Sequence, residues 1–387
     1  MTDKIEIKKS LELFDKRNNN SSSRSSEKHY SFKQEMQRVV NSQLIKDILQ
    51  GQEEKTTVVL ALDGGGIRGI VLLQLLMNLE RRIGESIYKH LDWIAGTSTG
   101  AIVALGIALN KSLEENLKAY LRLKNDIFAK SRPYNIPKYE TYLKQVFGAR
   151  TKMSELKDHK VIVTSCQSNL APPKLKLYRN YQPHLEEARD LREYEYEDPE
   201  SVYLWKAARA SSAAPIYFEP FEGIFSDGGI MANNPTEVLL TEYYRYKQIE
   251  EYVGHESPPP LSCVISLGTG MVTPVTISSK GRANDIIKFF SRTTEQIKNM
   301  AMVFIKQITA SDGLPVEKVR NWTFSNGVPY FRFSPPLSQK IDLDENRDTF
   351  VMQMMWDTEV YMVECADELE ELARYLQCLH SSQEQSL

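Results

Sequence analysis

The hydrophobic pattern is sharpest at Thr57-Val58-Val59-Leu60-Ala61-Leu62, an almost continuous apolar run of the length and kind that a strand buried on both faces shows. Asp63-Gly64-Gly65-Gly66 breaks it. Helical spacing comes next, with Ile70, Leu72, Leu73, Leu76, Met77 and Leu79 as apolar positions, and Gly84 is placed to end that helix. A second apolar segment, Leu91-Asp92-Trp93-Ile94-Ala95, leads into the helix-prone run Ala101-Ile102-Val103-Ala104-Leu105. Further strands are predicted at Lys160–Ser165, Lys174–Tyr178, Ser262–Leu267 and Tyr330–Phe333. Helices are predicted at Leu113–Phe128, Pro137–Phe147, Tyr203–Ala213, Pro235–Tyr246, Ala283–Thr309 and Asn346–Leu376. Strands alternating with helices predict an α/β layered fold with a mostly parallel sheet.

Outside that pattern the chain is polar. Lys16–Lys28 is low in complexity and reads as a flexible arm, and Phe32–Gln50 carries a weak helical pattern. The expected organisation is therefore an arm and weak helix over 1–55, a catalytic domain over 56–376 and a tail over 377–387. Glu186–Glu200 is acidic and reads as a solvated surface excursion, and Ser257-Pro258-Pro259-Pro260 as a stiff connector.

Composition narrows the function classes only modestly. Hydrophobic residues make up 41% and charged residues 26% of the 387, with a net charge of -3, so no basic excess points to nucleic acid. No apolar run approaches the roughly 20 residues of a membrane span, and Met1–Ile7 has no secretory apolar core. The expected location is cytoplasmic. Four scattered cysteines without a paired spacing read as reduced thiols, Cys166 and Cys263 in the core.

Three glycine-rich turns carry the candidate chemistry. Gly96-Thr97-Ser98-Thr99-Gly100 stands between a strand and a helix, the setting of a nucleophile elbow that leaves Ser98 Oγ at a helix N-terminus. Gly64, Gly65, Gly66, Ile67, Arg68 and Gly69 could be a dinucleotide loop, but no acid ends a second strand at the required spacing. An oxyanion hole is the better reading, because consecutive glycines let several N–H groups converge beside the next helix N-terminus. Arg68 reads equally as a ligand for an anionic head group or as half of a salt bridge. The third turn, Asp227-Gly228-Gly229, is followed by Asn233-Asn234-Pro235, where Asn234 and Pro235 look like an N-cap and first helical residue.

A serine nucleophile needs a base, and the histidines supply no good one. His29, His90, His159, His184 and His380 all fall in poor positions, and only His255 comes after Asp227 in the chain order of a triad. A Ser98–Asp227 dyad is the preferred reading. It requires burial to lift the Asp227 pKa from about 3.9 towards that of its partner.

Taken together, the G-G-G-[IV]-[RK]-G, G-T-S-T-G and D-G-[GA] … N-N-P motifs resemble the patatin-like phospholipases. The flanking segments are closer still to the catalytic domain of the calcium-independent group VI phospholipases A2. Asp92–Gly100, Ser131–Tyr134, Trp205–Arg209 and Ser266–Gly270 carry that likeness, which spans roughly Thr57–Leu376. The resemblance implies a three-layer α/β/α patatin-like fold and hydrolysis of fatty acyl esters of glycerophospholipids, without cofactor or metal. It also implies Ser98 as nucleophile, Asp227 as base and the amides of Gly65 and Gly66 as oxyanion hole, with peripheral contact at membranes. The best-known close relatives in that family carry an ankyrin-repeat array ahead of this domain, and 1–55 shows no such patterning.

Several readings stay open. Asp342–Asn346 begins like a calcium loop, but Arg347 and Gln353 occupy the positions that need glycine and glutamate. Phe289, Phe290 and Val303 suit membrane insertion or core packing. Trp356, Tyr361 and Leu372 suit a core, a homodimer contact or a calmodulin-type target. Rival functions are a catalytically silent lipid-binding protein of the same fold and a triad esterase using His255.

Overall fold

The residues of the first strand alternate between two cores, and that alternation sets up three layers. The computed structural model describes residues 25–51, 55–128, 132, 134–185, 188–272 and 311–384. Val58, Leu60 and Leu62 pack into one hydrophobic cluster, and Val59 and Ala61 into a second on the opposite face. The larger cluster lies under helices Gly69–Ile83, Thr99–Ala108, Asp348–Glu364 and Ala366–Glu384. Helices Thr236–Val253 and Leu314–Ser325 cover the smaller one.

The strands are β1 (Thr57–Leu62), β2 (Trp93–Thr97), β3 (Lys160–Gln167), β4 (Lys174–Arg179) and β5 (Phe225–Asp227). They continue with β6 (Leu261–Leu267), β7 (Met271–Val272), β8 (Tyr330–Phe333) and β9 (Pro336–Leu337). Seven of them form the main sheet in the order β4-β3-β2-β1-β6-β8, with β5 also paired to β3. Neighbours are parallel from β3 through β8, whereas β4 and β5 run antiparallel to β3. The mostly parallel three-layer fold expected from the sequence is the one observed.

The register along β3 brings two of the glycine turns together. Thr97, the last residue of β2, pairs with Thr164, and the next residue of β3, Ser165, pairs with Asp227 of β5. The lane beside β3 thus passes from one strand to another at the point where β2 turns into its helix.

Other expectations change. A helix spans Ser25–Gly51, so its start lies inside the stretch that reads as an arm. Tyr196, in the acidic excursion, is buried and its hydroxyl donates to Glu242 Oε2. The predicted helix Asn346–Leu376 is two, Asp348–Glu364 and Ala366–Glu384, and the second runs through most of the expected tail. Neither Gly nor Pro marks the break at Cys365. Tyr361 and Leu372 are core residues, while Trp356 is exposed. All four cysteines are free, with Cys166 and Cys263 buried as expected. The helix expected at Ala283–Thr309, with Phe289, Phe290 and Val303, lies outside the described residues.

The N-terminal helix closes the β8 edge of the sheet. Asn41 is fully buried; its Nδ2 donates to Tyr330 O at 2.9 Å and its Oδ1 accepts from Tyr330 N at 3.1 Å. One side chain therefore satisfies both outward-facing main-chain groups of an edge residue. Asn41→Ala should leave that pair unsatisfied and cost about 1–3 kcal/mol. Urea unfolding should show it as a lower midpoint at an unchanged m value.

Candidate active site

Three turns at the C-terminal ends of β1, β2 and β5 build the site, and the two threonines of the elbow tie them together. Thr97 Oγ1 donates to Ala232 O at 2.6 Å, just beyond the Asp227 turn. Thr99 Oγ1 donates to Gly66 O at 2.7 Å, in the turn after β1. Tyr120, fully buried, fixes Thr99 from behind by donating to its carbonyl at 2.6 Å. The sequence singles out Thr97 and Thr99 as elbow positions but gives no hint of these partners.

Ser98 has φ 53° and ψ −115°, a conformation an L side chain adopts rarely and at a cost of about 1–3 kcal/mol. Packing enforces it. A Cβ on Gly100 would overlap the carbonyl of Leu62, and one on Gly96 would overlap that of Gly100. No larger residue fits at either position. The Ser98 N–H donates to Ser211 Oγ at 2.7 Å. Ser211 also accepts from Gly228 N through its carbonyl, and Ala213 O accepts from Asp227 N. The end of helix Leu204–Ser211 therefore positions both residues of the dyad, which sequence reasoning missed.

Ser98 Oγ donates to Asp227 Oδ2 at 2.7 Å, and Asp227 Oδ1 accepts from Gly229 N, also at 2.7 Å. Asp227 is buried, and burial pushes its carboxyl from the usual 3.8 up to about 6, although these two hydrogen bonds pull it down. Among the described residues it has no cationic partner.

Of the six candidate residues in the first turn, four have their N–H groups committed. Gly64 N donates to Asn233 O, Ile67 N to Leu343 O, Arg68 N to Gly65 O, and Gly69 N to the carbonyls of Gly66 and Ile67. Gly65 and Gly66 have no such acceptor among the described residues, and both line the cavity with Ser98 and Asp227. Gly66 sits at φ +60°, where a Cβ would overlap the Leu343 carbonyl. Leu343 thus shapes the turn from a segment whose sequence suggests only a failed metal loop. The carboxylates of that segment are engaged by basic side chains: Asp344 by Arg132, with Nε to Oδ2 at 2.6 Å, and Glu345 by Arg347.

Arg68 takes neither of its expected forms cleanly. Its Nε and Nη1 donate to the carbonyls of Gly65 and Gly270, both at 3.3 Å, and it lines the cavity without an ion pair among the described residues. Behind the turn, fully buried Asp63 pairs with Arg332 at 2.7 Å, and Arg332 also reaches Asp312. Burial outweighs that arginine and holds the Asp63 carboxyl up at about 6. Asn234, one residue earlier than the helix assignment, still caps helix Thr236–Val253 by accepting from Thr236 N.

The cavity is a partly open cleft beside the dyad. Its wall away from the dyad is apolar, with Ile102, Leu123, Phe128, Tyr217, Phe218 and Ile230. No described histidine lines it. His255 lies before β6, at the opposite end of the parallel strands from Ser98, and stacks on His184 with ring centroids 4.2 Å apart. A triad through His255 is incompatible with that placement.

A family model described as patatin-like phospholipase matches residues 60–240. The chain is 37% identical over 338 residues to "Intracellular phospholipase A2" of Caenorhabditis elegans, covering 86% of this chain and 30% of that one. It is 38% identical over 328 residues to the "85/88 kDa calcium-independent phospholipase A2" of Mus musculus, covering 82% of this chain and 40% of the relative. Identity to "Calcium-independent phospholipase A2-gamma" of Rattus norvegicus is 29% over 345 residues, with 82% and 40% covered. The chain thus spans between 30% and 40% of the length of these relatives. On the match over residues 60–240 and identities of 37% and 38% covering 86% and 82% of its length, the chain belongs to the patatin-like phospholipase family.

Proposed function

We propose that the protein is a lipid acyl hydrolase that cleaves fatty acyl esters of glycerophospholipids through an acyl-enzyme on Ser98, with Asp227 as base and no calcium. The observation that carries this reading is the 2.7 Å hydrogen bond from the Ser98 hydroxyl to a buried carboxylate of raised proton affinity, with no histidine among the described residues beside it. The relatives' printed names supply the substrate class and the independence from calcium.

Asp227 accepts the hydroxyl proton as Oγ attacks the acyl carbonyl. A carboxyl at about 6 is a stronger base than an ordinary aspartate, though still far below an alkoxide. Charge stabilisation closes the gap. The uncommitted N–H groups of Gly65 and Gly66, with the N-terminus of helix Gly69–Ile83 behind them, receive the oxyanion. Each such donor is worth about 2.7–4 kcal/mol of barrier. Asp227 then gives that proton to the departing lysolipid oxygen, and, once more a carboxylate, takes one from the water that attacks the acyl-enzyme; as the fatty acid leaves, the proton returns to Ser98 Oγ. The apolar wall accommodates the acyl chain. Substrate is drawn from a lipid surface that the protein visits peripherally; no described helix is long and apolar enough to cross a membrane.

Ser98→Ala should lower phospholipid turnover by about ten-thousand- to million-fold while the unfolding midpoint stays near wild type. A fluorophosphonate probe should label wild type once per chain and leave the variant unlabelled. A silent lipid-binding protein of this fold would take no label at all.

Asp227 provides two further readouts with opposite pH signatures. Its base form is lost as pH falls through about 6, so kcat/KM should show an acid limb there instead of near 4. Stability moves the other way. Between 3.8 and about 6 the folded state holds a proton that the unfolded chain releases, so wild-type stability declines as pH rises through that window. Asp227→Asn removes this term. Its stability relative to wild type should improve by about 3 kcal/mol between pH 3.5 and pH 7, read from urea unfolding at each pH.

A further inference from the structure

At the N-terminal end of the parallel strands, the opposite end from the cavity, three side chains converge that the proposed reaction does not use. Glu250, near the end of helix Thr236–Val253, is fully buried. Its Oε1 accepts the main-chain N–H of His184 at 3.0 Å and its Oε2 faces His184 Nδ1 at 2.7 Å. The Glu250 carbonyl accepts the main-chain N–H of His255 at 2.9 Å. One residue therefore anchors the backbones of both histidines, one after β4 and the other in the turn beyond the helix. The two imidazoles lie nearly parallel, 15° apart with centroids at 4.2 Å. One donor atom from each of the three residues lies within 4.8 Å of the others.

The electrostatics call for a cation here. Among the described residues, the only ion-pair partner of the Glu250 carboxylate within bonding range is His184 itself, which is charged only when protonated. Lys160 contributes from farther off, its ammonium seated over the rings of Tyr246 and Tyr181. A buried carboxylate with two imidazoles beside it offers the donor set of a His-His-Glu metal site.

We propose that His184, His255 and Glu250 bind a first-row transition ion of the zinc type, which replaces the proton shared between His184 and Glu250 and staples the segment after β4 to the end of helix Thr236–Val253. Tetrahedral bonds of about 2.1 Å would set the donors about 3.4 Å apart, so the His184–Glu250 pair, now at 2.7 Å, opens and the wider pairs, within 4.8 Å, draw in as the two exposed imidazoles turn. Two imidazoles and one carboxylate suit zinc, cobalt or nickel. They do not suit calcium or magnesium, which take mostly oxygen ligands.

The test uses full-length, tag-free protein stripped by chelator and titrated with zinc alone by calorimetry, with thermal unfolding on the same samples and cobalt absorbance as a second probe. The expected result is one saturable site, a raised Tm and a cobalt spectrum of nitrogen and oxygen ligation. His255→Ala and His184→Ala, both at exposed positions, should each weaken zinc by at least tenfold, and Glu250→Gln by about 10–100-fold if it folds. No saturable binding to wild type, unchanged binding in the two histidine variants, or a thiolate spectrum with cobalt would overturn the proposal. None of these readouts uses hydrolysis, so the outcome is independent of the Ser98–Asp227 reading.

Discussion

The contact between Ser98 and Asp227 exists because β3 is longer than β2. Beyond the Thr97–Thr164 pair, β2 must leave the sheet to enter its helix, and the ladder of β3 would lie open. β5 arrives antiparallel and takes the next rung through Asp227 and Ser165. Main-chain hydrogen bonding, which has to be satisfied in a buried sheet, thus delivers a carboxylate to the spot where the elbow projects its serine. The precision of the dyad comes from sheet register, reinforced by Ser211 and Ala213, which take the N–H groups of Ser98 and Asp227.

A second constraint is electrostatic. Asp63 and Asp227 are both buried carboxylates near pKa 6, yet they are treated differently. Asp63 is given Arg332 and stabilises the base of the glycine turn. Among the described residues Asp227 is given only a hydroxyl and an amide. An arginine beside it would make the fold more stable and the carboxylate a poorer base. Withholding that cation costs stability locally, as strained and undersolvated groups at reactive sites commonly do.

Much of this architecture is legible in the sequence wherever the signal is local. A continuous apolar run locates β1, and glycine spacing locates all three turns. Non-local bookkeeping is not legible. Six residues of the first turn are candidates for an oxyanion hole, and only partners more than a hundred residues away, Asn233 and Leu343, show that the Gly64 and Ile67 amides are spent. Ser211 looks like an ordinary helix terminus until its hydroxyl is found on Ser98 N. β5, three residues long, has too little sequence for any periodicity, and the break at Cys365 carries no local breaker. Tyr196 escapes notice because an acidic composition hides a single aromatic anchor.

The seal that Asn41 places on β8 has a consequence for handling the domain. A sheet border with free amides and carbonyls is a template for another chain, and five apolar or aromatic neighbours around it (Val328, Tyr330, Phe331, Phe333 and Ile45) would favour such recruitment. Trimming the chain to the first strand of the catalytic fold would bare that border. Insolubility and intermolecular strand exchange are the expected faults of so minimal a fragment, well before any fault in its chemistry.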